Sequence, residues 1–270
     1  MMNCIEIKNL IVDYNGKNAI DDISLSIEEG EFVCILGRNG SGKSTLVKTI
    51  NGLIQSTSGD VIVYGMNTKD NNKLLDIRKN VGISFQNPDN QIVSSIVEED
   101  VAFGLENIGV ETSSIRERID EAMKNIGIYD LKDSLTSTLS GGQKQKVSIA
   151  GILAMKSKIL ILDEPTSMID SEGRMALLNT LKKLNEEGLT IILITHYVEE
   201  ISCGNRVIVM EKGKIRLDDA PENILLNTEV LDAIGIELPY VTSIARRLKD
   251  AGKVVKGNED SVEKLCKYLK

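Results

Sequence analysis

The run GRNGSGKST, Gly37 to Thr45, follows the apolar stretch EFVCIL and precedes the helical pattern LVKTING. A chain that leaves a strand, passes through glycines and enters a helix can turn its backbone N–H groups inward around phosphate oxygens. The helix N-terminus adds its positive end. In this reading Gly37, Arg38, Asn39, Gly40, Ser41, Gly42, Lys43, Ser44 and Thr45 hold the phosphates of a nucleotide, Lys43 reaches the terminal phosphates and Ser44 offers its hydroxyl to Mg²⁺. The spacing of Gly37, Gly40 and Gly42 does not fit the dinucleotide pattern GxGxxG. Such a loop needs an acidic second anchor for Mg²⁺ at the end of a strand. KILILDEP supplies it, with Asp163 placed to hold the ion and Glu164 to polarise an attacking water.

The elements that must position these residues follow from the apolar pattern. The first third of the chain is strand-rich, in CIEI, ISLSI, FVCILG, VIVYG and VGISF. Glu98 to Met155 reads as helix, strands return in KILILD, TIILIT and the hairpin RVIVMEKGKI, and beyond Pro221 two or three short helices are expected. That order predicts an α/β core interrupted by a helical insertion. Val81, Ile83 and Phe85 alternate as in a half-buried strand, then run into side-chain amides around Pro88 that a surface turn would explain if they stood alone.

With 270 residues, 41% hydrophobic but 3% aromatic, the chain can bury a core of Ile, Leu and Val in one large or two small domains. A net charge of −8 argues against a general nucleic-acid-binding module. Cys4, Cys34, Cys203 and Cys266 are scattered, which suggests neither a zinc site nor a disulfide framework and fits a reducing cytoplasm. The N-terminal MMNCIEIKNL has no signal-peptide pattern, and ILIL and IILI are far shorter than a membrane span. Work at a membrane would require another chain to cross it.

LSGGQ, Leu139 to Gln143, stands before the helical run KQKVSIAGILAM. Its Ser140, Gly141 and Gly142 resemble the signature of ATP-binding cassette (ABC) ATPases, which lies at a helix N-terminus and contacts ATP held by the opposite subunit. The resemblance implies that Ser140, Gly141, Gly142 and Gln143 reach the partner's ATP. It further implies that Tyr14 stacks on adenine, that Asp170 in SMID links the two active sites, and that His196 after TIILIT senses the γ-phosphate. Gln86 falls where the family has a glutamine reaching toward Mg²⁺ and the attacking water. Lys146 stands where many relatives have Arg, a change expected to matter little. The implied fold, carried by roughly residues 3–220, is an α/β ABC ATPase nucleotide-binding domain with a P-loop RecA-like core, an antiparallel β subdomain and a helical subdomain. The expected division is 1–225 for this domain, with the helical part inserted at about 88–157, and 226–270 for a short C-terminal extension that helps pair two ATPases.

FQNPDNQIV followed by VEEDVAFGLEN is similar to the ATPase subunits of energy-coupling factor transporters for vitamins and metal ions. This implies that Asn87, Pro88, Asp89, Asn90 and Gln91 receive helices of a transmembrane subunit. The implied partners are a second ABC ATPase, either a copy or a different chain, a transmembrane coupling subunit and a substrate-binding membrane subunit, with no nucleic acid. The implied cofactors are ATP and Mg²⁺, and the implied location is peripheral, on the cytoplasmic face of the cell membrane. IELPYVTSIARRLKDAG resembles the first helix of that subfamily's extension, and a capping-box-like start follows Asp260 with Glu263. A general ABC importer is the nearest alternative. A cassette protein acting on ribosomes or DNA usually adds a second cassette, a coiled coil or a zinc module. The transported substrate is set by a separate membrane subunit in such systems.

Overall fold

In a computed structural model, residues 2–236 and Ile244 are described. The expected helices in 237–252 and after Asp260 lie outside the described residues. The chain opens with β1 (Asn3–Tyr14), β2 (Lys17–Glu28) and β3 (Phe32–Leu36), then α1 (Lys43–Ile50), β4 (Ser58–Val63), β5 (Met66–Asn67), α2 (Leu74–Asn80) and β6 (Val81–Ser84). Three helices follow, α3 (Val97–Asn107), α4 (Thr112–Ile126) and α5 (Gly141–Ala154). The chain returns through β7 (Ile159–Asp163), α6 (Ser171–Glu186), β8 (Thr190–Thr195), β9 (Arg206–Glu211) and β10 (Lys214–Asp219), and continues in α7 (Pro221–Leu226) and α8 (Thr228–Ala233).

Two sheets result. One is antiparallel, in the order β2-β1-β4-β5; the other runs β10-β9-β3-β8-β7-β6 and is parallel except for β10. β1 and β2 are far longer than CIEI and ISLSI suggested, because Asn15 and Gly16 both take positive φ and close a tight two-residue turn between them. Tyr64-Gly65 and Lys212-Gly213 do the same for β4–β5 and β9–β10.

The aliphatic runs FVCIL, ILILD and TIILIT are buried at every position, as central parallel strands must be when both faces are covered. Within each run alternate residues go to opposite sides. Phe32, Cys34, Leu36, Leu160, Leu162, Ile191 and Leu193 pack with α3, α4, α5 and α6. Val33, Ile35, Ile159, Ile161, Ile192 and Ile194 pack with α1 and the antiparallel sheet. Alternation that looked featureless in a continuous apolar run thus sorts two cores.

The strand expected to be half-buried is instead buried throughout. β6 is an edge strand, and helix α5 comes so close that a Cβ on Gly82 would stand 2.0 Å from Ile152 Cγ2. Its free edge is satisfied by side chains. Asn51 Nδ2 donates to Val81 O at 2.6 Å, Gln91 Nε2 donates to Ile83 O at 3.0 Å, and Phe85 N–H donates to Gln91 Oε1 at 3.1 Å. We predict that Gly82→Ala, which forces α5 and β6 apart, lowers stability by about 1–3 kcal/mol. Chemical denaturation followed by circular dichroism would measure it.

Candidate active site

The parallel strands deliver the chemistry to one edge of the sheet. Leu36 is in register with Thr195, Asp163 with Ile194 and Ser84 with Leu162, so the chain leaves β3, β6, β7 and β8 side by side. The P-loop leaves β3 and enters α1 at Lys43. Gly42 stands at the N-cap with φ 106°, and no side chain caps the helix, which leaves its first N–H groups available to an anion. Only glycine suits this position, because a Cβ would also lie 2.5 Å from Ala19 O on β2.

Lys43 is buried. Its Nζ donates to Gly37 O at 2.7 Å and to Arg38 O at 3.1 Å, and lies 3.9 Å from Glu164 Oε1. Burial lowers the affinity of its ammonium for a proton, partly offset by Glu164 and Asp163. Ser44 Oγ donates to Asp163 Oδ1 at 3.2 Å, joining the end of the P-loop to the end of β7. Burial raises the Asp163 pKa above the usual carboxylate range, against the hydrogen bond from Ser44. A buried carboxylate held in this way, beside a serine hydroxyl and an uncapped helix terminus, is a donor set that fits a hard divalent cation shared with phosphate oxygens.

Glu164 is the meeting point. Its backbone has φ 50°, uncommon for a residue with a side chain, and is fixed by its N–H to Ile194 O at 3.0 Å and by Ser167 Oγ donating to its carbonyl at 2.9 Å. Gln86 Nε2 donates to Glu164 Oε2 at 2.9 Å, and His196 Nδ1 stands 3.4 Å from the same oxygen. The structure therefore brings together Lys43, Ser44, Gln86, Asp163, Glu164 and His196 from four separate stretches of chain. A cleft of about 1150 Å³ opens beside the cluster, between Gly37–Ser41, His196–Glu199 and Ala233–Ile236. Tyr14 ends β1 with an exposed ring.

The other expected residues sit apart, at helix starts. Ser140 and Gln143 form a capping box on α5, with Gln143 N–H donating to Ser140 Oγ at 3.3 Å and Ser140 N–H to Gln143 Oε1 at 2.9 Å. Gly141 and Gly142 form its first turn. Asp170 caps α6 by accepting from Gly173 N–H at 2.7 Å. Asn87 caps the 3₁₀ turn Pro88–Asn90.

Of the five residues expected to face a membrane partner, Asn87, Asp89 and Asn90 are exposed, whereas Pro88 is buried and the Gln91 amide is committed to the edge of β6. Those two shape the surface from beneath. Sequence reasoning missed the residues that tie this turn to the LSGGQ helix. Lys144 Nζ donates to Asp89 Oδ1 at 2.6 Å, the buried Gln145 Nε2 donates to Ser84 Oγ at 2.9 Å, and Ser84 shares a 3.0 Å hydrogen bond with Ser148. No local signal marks Gln145, because a polar residue in a helix is ordinary until its neighbours are known.

The profile of the ABC transporter family matches residues 20–167. The energy-coupling factor transporter ATP-binding protein EcfA1 of Clostridium novyi (strain NT) is 46% identical over 99% of this chain and 98% of its own length. Its counterpart in Clostridioides difficile (strain 630) is 45% identical over 100% and 99%. The chain belongs to the ABC transporter family, among its energy-coupling factor ATP-binding proteins. Among solved structures, cbiO1 from Clostridium perfringens, described as part of the ABC transporter complex cbiONQ, superposes with a TM-score of 0.79 at 36% identity, covering 91% of this chain and 100% of that one. The dimeric post-hydrolysis cassette MJ0796 bound to ADP and Pi gives 0.75 at 31% identity, covering 80% and 98%. The two sheets and the helices of this ABC ATPase are thus those of its family. We predict that Gln145→Met, similar in volume but without the donor, costs about 1–3 kcal/mol by leaving the buried groups around Ser84 short of a partner. A lowered denaturation midpoint is the readout.

Proposed function

We propose that this ATP-hydrolysing subunit of an energy-coupling factor transporter works through a single catalytic cluster centred on Glu164. The observation that carries the assignment is the convergence of Gln86, His196 and Lys43 on one buried carboxylate, beside the Ser44–Asp163 pair. The backbone of Gly37 to Thr45 binds the phosphates, and Lys43 exchanges its two carbonyl partners for the β- and γ-oxygens. Ser44, Asp163 and Gln86 would hold Mg²⁺, which when bound neutralises charge between the phosphate oxygens. Glu164 accepts the proton of the attacking water, Gln86 fixes the orientation of its carboxylate, and His196 contacts the γ-phosphate from its place beside Glu164. Tyr14 gives adenine an aromatic face.

The same reading makes Ser140, Gly141, Gly142 and Gln143 the site for ATP bound by a second cassette, with Asp170 at the seam between the two. The dimeric MJ0796 cassette supports this arrangement. Residues 1–225 form the ATPase, 88–157 its moving helical part, and 226–270 a pairing extension. Asn87, Asp89 and Asn90 contact the transmembrane subunit at the cytoplasmic face of the membrane. This is supported by the complex from which cbiO1 comes and by the hydrogen bonds that tie the turn to α5. Among the described residues no helix is long and apolar enough to cross a membrane. The cargo is a vitamin or metal ion chosen by another subunit.

Glu164→Gln is expected to lower the hydrolysis rate by about 10²–10⁴-fold. ATP binding should survive and a closed dimer should accumulate on size-exclusion chromatography; an undiminished rate would refute the assigned base. Replacing Asn87, Asp89 and Asn90 together with Ala should cut uptake by about tenfold or more in reconstituted vesicles while the Kd for ATP stays unchanged. Unaltered uptake would remove the coupling assignment.

A further inference from the structure

Glu200 is 1% exposed and takes no part in the cluster around Glu164. It lies in the 3₁₀ segment Val198–Cys203 that follows His196. Its Oε1 accepts from Thr166 Oγ1 at 2.6 Å, two residues beyond Glu164, and stands 3.6 Å from Arg174 Nε. Glu200 Oε2 and Arg174 Nε are both buried and find no hydrogen-bond partner among the described residues. Arg174 belongs to the first turn of α6, with its N–H donating to Asp170 O at 2.8 Å, and its guanidinium lies over the Tyr197 ring at 4.1 Å. Tyr197 in turn packs against His196, with centroids 4.1 Å apart.

The β7–α6 connection, the first turn of α6 and the segment after His196 therefore share one loosely closed charge pair. A carboxylate buried in this way is a costly means of holding a fold together, and one acceptor and one donor are left open where a small movement of α6 would join them. We propose that Glu200 and Arg174 are positioning residues that brace the loop carrying His196 against the loop carrying Asp170, so that engagement of Asp170 by a second cassette sets the placement of His196 beside Glu164. The proposal rests on the roles given above to Asp170 and His196. Arg174 supplies the cation, Glu200 the anchor, and Thr166 keeps the anchor in register with the Glu164 turn.

The test uses the transporter complex purified through the full-length chain, with ATP hydrolysis measured for Glu200→Gln, Arg174→Met, Arg174→Lys and the double variant E200Q/R174M. Each of the two charge-removing variants should lower kcat by about tenfold with KM for ATP within about twofold, and the double variant should be no worse than either alone. Arg174→Lys, which keeps the charge, should recover part of the loss. Full activity in Glu200→Gln and Arg174→Met, additive losses, or a loss of ATP affinity in step with kcat would each overturn the brace. If Glu200→Gln fails to fold, Arg174→Met at unchanged melting temperature decides alone, because its side chain is on the surface side of the pair. His196→Ala in the same assay separates the two readings. Full rate there removes the role of His196, whereas full rate in the Arg174 and Glu200 variants removes only the brace.

Discussion

Everything at this site depends on parallel register. Four strands run in the same direction with their ends level, so the turns that leave β3, β6, β7 and β8 meet at a single edge of the sheet. The P-loop, Gln86, the Asp163–Glu164 pair and His196 are far apart in the chain and adjacent only because of that alignment. The alignment in turn requires strands apolar on both faces, which is why FVCIL, ILILD and TIILIT are apolar at every interior position.

The cost of this arrangement is paid in buried polarity, and the chain handles it consistently. Lys43 is satisfied by carbonyls of its own loop, Asp163 by Ser44, and Glu164 by Gln86. Each partner is one that a phosphate, a cation or a water can displace or share. The uncapped start of α1 contrasts with the capped starts of α5 and α6, where Ser140 and Asp170 accept from their own helices.

The coupling between the nucleotide cluster and the helices α3, α4 and α5 is equally physical. β6 is an edge strand, and its free groups are met by Asn51 from beyond α1 and by Gln91 from the NPDNQ turn. Its other attachments, through Ser84, Gln145 and Ser148, lead into the LSGGQ helix. A displacement of the turn therefore reaches both Gln86 and α5 through short hydrogen bonds rather than through a flexible linker.

The sequence alone determined what could be read from local pattern: the phosphate-binding loop with its flanking strand and helix, the acidic strand end, the helical insertion, and, through LSGGQ and NPDNQ, the family. Each depends on residues near one another in the chain, where periodicity and glycine spacing carry the information. Tertiary structure decided the rest. Only packing could show that β6 is fully buried, since Gly82 and Ser84 look unremarkable until α5 is placed on them. Only packing could divide NPDNQ into exposed Asn87, Asp89 and Asn90 and supporting Pro88 and Gln91, because the same amide serves a surface or a strand edge according to what faces it. The pairing of Glu200 with Thr166 and Arg174 was beyond reach for the same reason. A buried charge is recognised by its surroundings, and these come from the β7–α6 connection, the start of α6 and the segment after His196, which the fold alone brings together.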